Sequence, residues 1–232
     1  MLELFPEGFE ERDTADGVEL AAYTDDGGEE RLWSAFGGAR STEVEEGWED
    51  RWRAFHRPVR VGPLWVGPPW EQPDGDAIPV VIDPGRAFGT GAHATTRLCL
   101  ELLDGLERGS LLDVGCGSGV LAIAAARLGF APVLAVDHDP AALEATLRNA
   151  EANSVEVEPR LVDVLSEPLP AAGVAVANIS AESVELVIPR LDARTIVASG
   201  YLERDAPAPA GFRRERRVTE GGWAADLFRR EE

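Results

Sequence analysis

Asp113-Val114-Gly115-Cys116-Gly117-Ser118-Gly119 follows the apolar run that opens at Leu111 and precedes the alanine-rich stretch Val120 to Leu128. A buried strand, a glycine loop and a helix in that order make one half of a strand–helix–strand unit. Val133 to Val136 then reads as the next strand, closing on Asp137, 22 residues after Gly115. Glycine is required where the backbone turns through positive φ or where a bulky ligand crosses it. A carboxylate at the end of the second strand can accept hydrogen bonds from both hydroxyls of a ribose. The dinucleotide fingerprint wants glycine or alanine three residues after its second glycine, and here that position is Val120. The G-x-G-x-G form therefore suits a cofactor with no pyrophosphate to bury against the helix, such as S-adenosylmethionine.

Outward from this unit the alternation continues. Thr95 to Leu106 predicts a helix, with Leu98, Leu102 and Leu106 at four-residue spacing. Pro140 to Asn153 predicts another, with proline in its first turn and Asp139 as N-cap. Val155 to Val162, Val174 to Ala177 and Thr195 to Ala198 read as strands, with a helix over Ala181 to Leu191. Arg213 to Thr219 and Trp223 to Phe228 form a terminal hairpin through Glu220-Gly221-Gly222. This pattern predicts an α/β fold with a doubly wound, mostly parallel seven-stranded sheet, Rossmann-like, with helices on both faces. Ligands of such sheets sit at the carboxyl ends of the strands, at the topological switch point.

The first 47 residues read as a small separate unit. Phe9 to Arg12 and Val18 to Tyr23 look like strands around an Asp-Gly turn, and Glu29 to Phe36 is a possible helix. That segment is too short to bury a core of its own. Residues 48–79 form a connector in which Trp48, Trp52, Phe55, Trp65 and Trp70 alternate with six prolines. Aromatic bulk and stiff prolines predict a packed linker, with an aromatic ligand groove as the alternative. The strand–helix alternation then fills a domain over 80–232.

Composition narrows the function. Forty-two acidic against 22 basic residues give a net charge of −20, and residues 1–50 carry 16 acidic side chains and 3 arginines. This balance argues against general nucleic-acid or anionic-membrane binding and favours a cationic partner. Every basic residue is arginine, a pattern expected of a GC-rich genome. No apolar run approaches the roughly 18 residues of a membrane span. Two cysteines, Cys99 and Cys116, give no disulfide framework, which with the missing signal peptide predicts a cytoplasmic protein. Three scattered histidines and two cysteines lack metal-ligand spacing, so no metal is expected.

One further segment is more specific than a glycine loop. Asp83-Pro-Gly-Arg-Ala-Phe-Gly-Thr-Gly-Ala-His-Ala-Thr-Thr96 resembles the segment that precedes the cofactor domain in bacterial ribosomal protein L-eleven methyltransferases. The glycine loop, Val136-Asp137-His-Asp-Pro140, Asn149-Ala-Glu-Ala-Asn153 and Ala177-Asn178-Ile179 follow in that family's order, and the Trp48–Trp70 linker is similar. The likeness runs over about 48–228. It implies contacts to S-adenosylmethionine from Thr96, Gly115, Asp137 and Asn178. The Phe88-Gly89-Thr90-Gly91 segment can fold over the methionine end of the cofactor. Asp113, Gly117 and Gly119 belong to the same loop, and Asp163, after the third strand, is placed to receive the adenine amine or to be simply solvated. Asn178 is the expected catalytic residue, because a neutral amide carbonyl can align an incoming amine without trapping it as a salt bridge. His93 reads as structural rather than as a base, Cys116 as backbone only, Cys99 as core and His138 as a solvated loop residue.

The resemblance implies methylation of protein amines, on lysine side chains or an N-terminal α-amine, with ribosomal protein L-eleven as the basic substrate of a monomeric enzyme. Three departures stand out. Phe5-Pro-Glu-Gly-Phe9 begins partway into the family's leading unit, Ser180 stands where an apolar residue is usual, and Tyr201 to Gly211 is short for a helix. They leave open a methyltransferase acting on another protein lysine or a small amine, and a binding module that has lost catalysis. A nicotinamide-dependent oxidoreductase is the reading that Val120 disfavours.

Overall fold

A computed structural model of the chain describes residues 10–14, 17–21, 32, 35–36, 57–83 and 91–231. The chain divides into two compact units between Trp52 and Arg53. In the first, β1 (Glu10–Thr14) and β2 (Gly17–Ala21) pair antiparallel, with Glu10 opposite Ala21 and Thr14 opposite Gly17. Both strands lie within two residues of their expected bounds. The helix expected over 29–36 falls mostly outside the described residues.

The second unit opens with a small sheet in the stretch expected as a packed linker. Strand β3 (Val59–Val61) turns at Gly62-Pro63 into the antiparallel β4 (Leu64–Gly67), and β5 (Ile78–Val81) pairs parallel to β4. Trp65 is buried there; Trp48, Trp52 and Phe55 lie outside the described residues. Leu64, Val66, Val80 and Ile82 are buried in one cluster with Leu98, Leu102, Val120 and Ile123 of the following helices. At roughly 1.5–3 kcal/mol for each fully buried aliphatic side chain, these four make the small sheet a fixed part of the unit.

Seven strands form the main sheet. The elements run α1 (Ala94–Asp104), β6 (Leu111–Val114), α2 (Val120–Arg127), β7 (Val133–Asp137), α3 (Pro140–Ala152), β8 (Glu158–Leu161), β9 (Val174–Asn178), α4 (Ala181–Val187), β10 (Thr195–Leu202), β11 (Phe212–Glu220) and β12 (Trp223–Arg230). The strand order is β11-β12-β10-β9-β6-β7-β8. From β10 to β8 every pairing is parallel, and the terminal hairpin β11–β12 joins β10 antiparallel. Because β6 is followed by β7 on one side while β9 lies on its other side, the chain reverses its direction of travel between β6 and β9. Their carboxyl ends form the crevice where a ligand can enter.

Alternation along the strands sorts the core into two layers. Leu111, Val176, Val197, Ala225 and Leu227 face the cluster that includes α1 and α2. Leu112, Val114, Ala175, Ala177, Ile196, Ala198 and Phe228 face the other side, under Val184, Val187 and Ile188. Continuous apolar runs such as Val133-Leu-Ala-Val136 belong to strands covered on both faces. The rims differ. Strand β8 reads Glu-Pro-Arg-Leu and is largely exposed, and β11 carries Arg213, Arg214, Arg216 and Arg217.

For the main sheet and its helices the sequence expectation holds in element type and order, with local differences in extent. Strand β8 begins at Glu158 rather than Val155, since Val155 and Val157 pack as partly buried residues of the approach. Helix α4 ends at Val187 rather than Leu191, and Ile188–Arg190 tightens into a 3-10 turn around Pro189, which offers no N–H to an α-helical ladder. Among the described residues, no helix is long and apolar enough to cross a membrane, and no cluster of three His, Cys, Asp or Glu could hold a metal.

Candidate active site

The loop after β6 is held from three sides. Gly115 and Cys116 donate their N–H groups to the Val136 carbonyl at 2.8 and 3.1 Å, and Gly119 closes a turn onto Cys116 O at 2.8 Å. Gly119 then starts α2 at φ +80°, and a Cβ there would stand 2.9 Å from Thr146. A side chain is excluded at that point by both backbone and packing. The Thr146 hydroxyl donates to Gly117 O at 3.1 Å and reaches Cys116 Sγ at 3.4 Å. Helix α3 thus fixes the loop from beneath.

Asp137 ends β7 beside this loop. Its Oδ2 accepts from Gly117 N at 3.0 Å and its Oδ1 from Asp139 N at 3.1 Å, while the side chain remains slightly exposed at the crevice. Each carboxylate oxygen has two lone pairs, so one on each is left for a diol. Asp113 sits deeper. Its Oδ2 accepts from Ala122 N at 3.0 Å and its buried Oδ1 has no hydrogen-bond partner. Burial pushes this carboxyl up to about 7, the Ala122 N–H pulling the other way and the nearby Asp137 charge adding to the rise. Asp113 is therefore a bond between β6 and α2 inside the turn.

Two further expected residues meet across the switch point. Asn178 ends β9, and its amide nitrogen lies 3.5 Å from the Thr96 hydroxyl in the first turn of α1. Thr96 is buried, whereas Asn178 is part-exposed. The neighbouring Ile179 N–H donates to Ser199 O at 2.9 Å, and the Ile179 carbonyl lies where a Cβ on Gly200 would be, at 2.2 Å. Gly200, at φ +101°, makes the bulge in β10 that lets this peptide sit down. His93 caps α1: its Nδ1 accepts from Thr95 N at 3.4 Å and lies 2.8 Å from the Thr95 hydroxyl.

Of the other expected site residues, Phe88, Gly89 and Thr90 lie outside the described residues. Asp163 is exposed after β8 and bonds within its own turn, accepting from the Ser166 hydroxyl at 2.7 Å and Leu165 N at 3.0 Å. The Ser166 hydroxyl and then the Leu165 N–H hold its carboxyl below the usual range. Cys99 and Cys116 are buried free thiols; burial, with the Asp113 charge nearby, pushes the Cys116 thiol up to about 12. His138 projects into solvent with Nδ1 3.4 Å from Asp137. Ser180 caps α4 by accepting from Ser183 N at 3.2 Å, so the departure from an apolar residue has a local structural use.

Sequence reasoning assigned no role to Asn149 and Asn153, and the structure gives them one. Asn149 donates to Ser118 O in the glycine loop at 2.9 Å and accepts from Asp83 N at 3.1 Å. Asn153 accepts from Val81 N at 2.8 Å and donates to Val81 O at 2.6 Å. Two buried amides on one helix face thus tie the glycine loop to the end of β5, just ahead of the Phe88–Gly91 segment. Their spacing of four residues, asparagine both times on an otherwise amphipathic helix, was the available signal.

A parallel sheet in this order, with an antiparallel hairpin at one end, a glycine loop after β6 and a carboxylate after β7, defines a class I methyltransferase, the class that uses S-adenosylmethionine. The residues fit that group: a glycine loop at the carboxyl end of β6, a carboxylate with spare lone pairs, and a hydroxyl and an amide meeting at the crevice. The chain belongs to the ribosomal protein L11 methyltransferase family (PrmA), whose model matches residues 10–229. It is 41% identical over 214 residues to the ribosomal protein L11 methyltransferase of Pelobacter propionicus, covering 82% of this chain and 69% of that protein. It is 46% identical over 155 residues to that of Symbiobacterium thermophilum, covering 65% and 51%. The crystal structure of ribosomal protein L11 methylase from Lactobacillus delbrueckii subsp. bulgaricus superposes with a TM-score of 0.69 at 29% identity, over 76% of this chain and all of that one. The chain spans roughly half to two thirds of the length of the curated relatives it matches.

Proposed function

We propose that this protein transfers methyl groups from S-adenosylmethionine to amines of the large-subunit ribosomal protein L11, on lysine side chains or the N-terminal α-amine. The observation that carries the reading is the meeting of Thr96 and Asn178 beside the glycine loop. Bound in this crevice, S-adenosylmethionine supplies an activated methyl on a sulfonium centre. The chain's own part is alignment and exclusion of water. Gly115, Gly117 and Gly119 shape the loop beside the cofactor, and Asp137 accepts the ribose hydroxyls with its spare lone pairs. Thr96 supports the methionine end, and the Asn178 carbonyl accepts a hydrogen bond from a neutral amine and points its lone pair along the line of transfer. A neutral acceptor serves better than a carboxylate, which would hold the amine as an ammonium with no lone pair to offer.

The net charge of −20 suits a basic protein substrate and speeds its encounter. The N-terminal unit of residues 1–47 is proposed as the recruiting element, joined through 48–79 to the cofactor domain at 80–232, in a monomer of the cytoplasm that binds neither nucleic acid nor membrane. Asp163 is proposed at the adenine and the Phe88–Thr90 segment over the methionine end.

The test is intact mass of ribosomal proteins from the source organism with and without the gene. Loss of increments of about 14 Da, the mass of one CH₂, on L11 alone supports both chemistry and substrate. Loss on another protein instead keeps the chemistry and moves the substrate. No change on any protein, with purified enzyme inactive on L11, overturns the reading.

A further inference from the structure

The turn between β11 and β12 lies apart from the glycine loop and from Asp137, yet two of its residues reach the first turn of α1. Glu220 accepts from Arg97 Nε at 3.2 Å (Oε1) and 3.0 Å (Oε2), and from Arg97 Nη2 at 2.8 Å. Arg97 Nη1 in turn donates to the carbonyl of Ala92. The guanidinium is thus a two-sided bridge, with the hairpin on one side and the entry to α1 on the other. The second contact is aromatic. The Trp223 indole meets the His93 ring edge-on, with centroids 4.8 Å apart and planes at 72°. His93 is the residue that caps α1. Both contacts therefore bear on residues 92–97, on either side of Thr96.

Neither contact is demanded by the hairpin. The turn needs only Gly221 and Gly222, at φ +57° and +83°, and any residues could flank them. Nor is the ion pair needed for stability: Arg97 and Glu220 are 26% and 46% exposed, and pairs of that kind contribute little to folding. Both contacts act on the turn that presents Thr96 to Asn178.

We propose that the β11–β12 turn is a positioning device for cofactor binding, in which Glu220 through Arg97, and Trp223 through His93, hold residues 92–97 in register with Asn178. This rests on the assignment of the crevice to S-adenosylmethionine under the proposed function. Glu220, Arg97 and Trp223 are positioning residues; none is required to touch the cofactor.

The experiment compares the full chain with Glu220→Gln, Trp223→Leu, Trp223→Phe and a control, Glu101→Gln. Glu101 pairs with Arg216 at 2.9 Å and so tethers the same helix to the same hairpin, one turn farther from Thr96. S-adenosylmethionine binding is titrated at equilibrium, KM and kcat are measured for methyl transfer, and thermal midpoints are recorded. Glu220→Gln and Trp223→Leu are expected to raise the Kd and KM for S-adenosylmethionine about fivefold, with kcat changed less than twofold. Trp223→Phe recovers most of the affinity that Trp223→Leu loses, and Glu101→Gln leaves the KM unchanged. An unchanged Kd in both Glu220→Gln and Trp223→Leu overturns the proposal. So does an equal loss in Glu101→Gln, or a loss that follows the thermal midpoint across all variants. Absence of binding by the unaltered chain removes the cofactor reading itself, and is seen before any variant is made.

Discussion

Asp137 Oδ2 accepts a hydrogen bond from the main-chain N–H of Gly117 at 3.0 Å, joining the end of β7 to the middle of the glycine loop. One carboxylate therefore shapes the loop and also faces the position proposed for the ribose. Its second oxygen is bonded to Asp139 N, which keeps the group from rotating. In the proposed complex the loop and its ligand are linked through a single side chain.

Replacing Asp137 by alanine removes both functions together. The loop loses a charge-assisted hydrogen bond, worth roughly 1.5–3 kcal/mol, and the ribose loses its acceptors. Affinity for S-adenosylmethionine is expected to fall at least tenfold, read by titration calorimetry. Asp137→Asn, which retains one acceptor oxygen, should fall between the two. Equal affinity in all three would show that the ribose lies elsewhere.

Asn178 and Thr96 are expected to separate by kinetics. Asn178→Ala should lower kcat by roughly 10- to 100-fold with a smaller change in KM for the cofactor, since alignment of the amine is lost. Thr96→Val should instead raise that KM, because the missing hydroxyl leaves both Asn178 and the methionine end without a partner. Steady-state assays on purified L11 check the split. A fall in kcat for Thr96→Val alone would reverse the two roles.

Gly200 is far in sequence from the glycine loop and holds Asn178 in place. A methyl group there would stand 2.2 Å from the Ile179 carbonyl at a φ of +101°. Gly200→Ala is expected to cost about 1–3 kcal/mol of stability and to displace the Asn178-Ile179 peptide. Chemical denaturation and an assay of methyl transfer should both show the loss. An alanine variant of full stability and activity would mean that the bulge can shift freely.

Asp113 predicts a pH effect on stability. Its carboxyl is raised to about 7 in the folded chain, chiefly by burial, against an ordinary value of 3.8. Between these values the folded state holds a proton that the unfolded state has released, so stability falls as pH rises from about 4 to about 7 and then levels off. Asp113→Asn carries no such proton. Its thermal midpoint relative to the unaltered chain should climb over that window and stay flat above it. Parallel curves from pH 4.5 to 8.5 would show that Asp113 is ionised in the fold.

Much of this was legible in the residues because local signals and tertiary demands coincide. Asp139-Pro140 marks the start of α3, and Leu111 to Val114 is too apolar and too short for anything but a covered strand. Asp137 and Asn178 could be placed because each ends such a strand. Other features depend on partners distant in sequence. That Asp113 would bond to α2, that Asn149 and Asn153 would reach across to β5, and that Gly200 would seat Ile179 all follow from packing between segments. The small sheet of β3, β4 and β5 was hidden by its prolines, which read as linker although Pro63 lies in the β3–β4 turn and Pro79 in β5.

The rim strand β8 has a consequence for how this protein behaves among its own copies. The Val162 N–H points inward, to the Asp137 carbonyl. Alternation along the strand therefore turns the positions of Pro159 and Leu161 outward. Proline occupies one of the two sites where a free donor would invite a stranger's strand, and the exposed pair Glu158–Arg160 flanks it with charge. The opposite rim, β11, offers arginines. Among the described residues, both margins of the main sheet thus carry charge, with proline besides at β8, which disfavours the pairing of a second copy's strand.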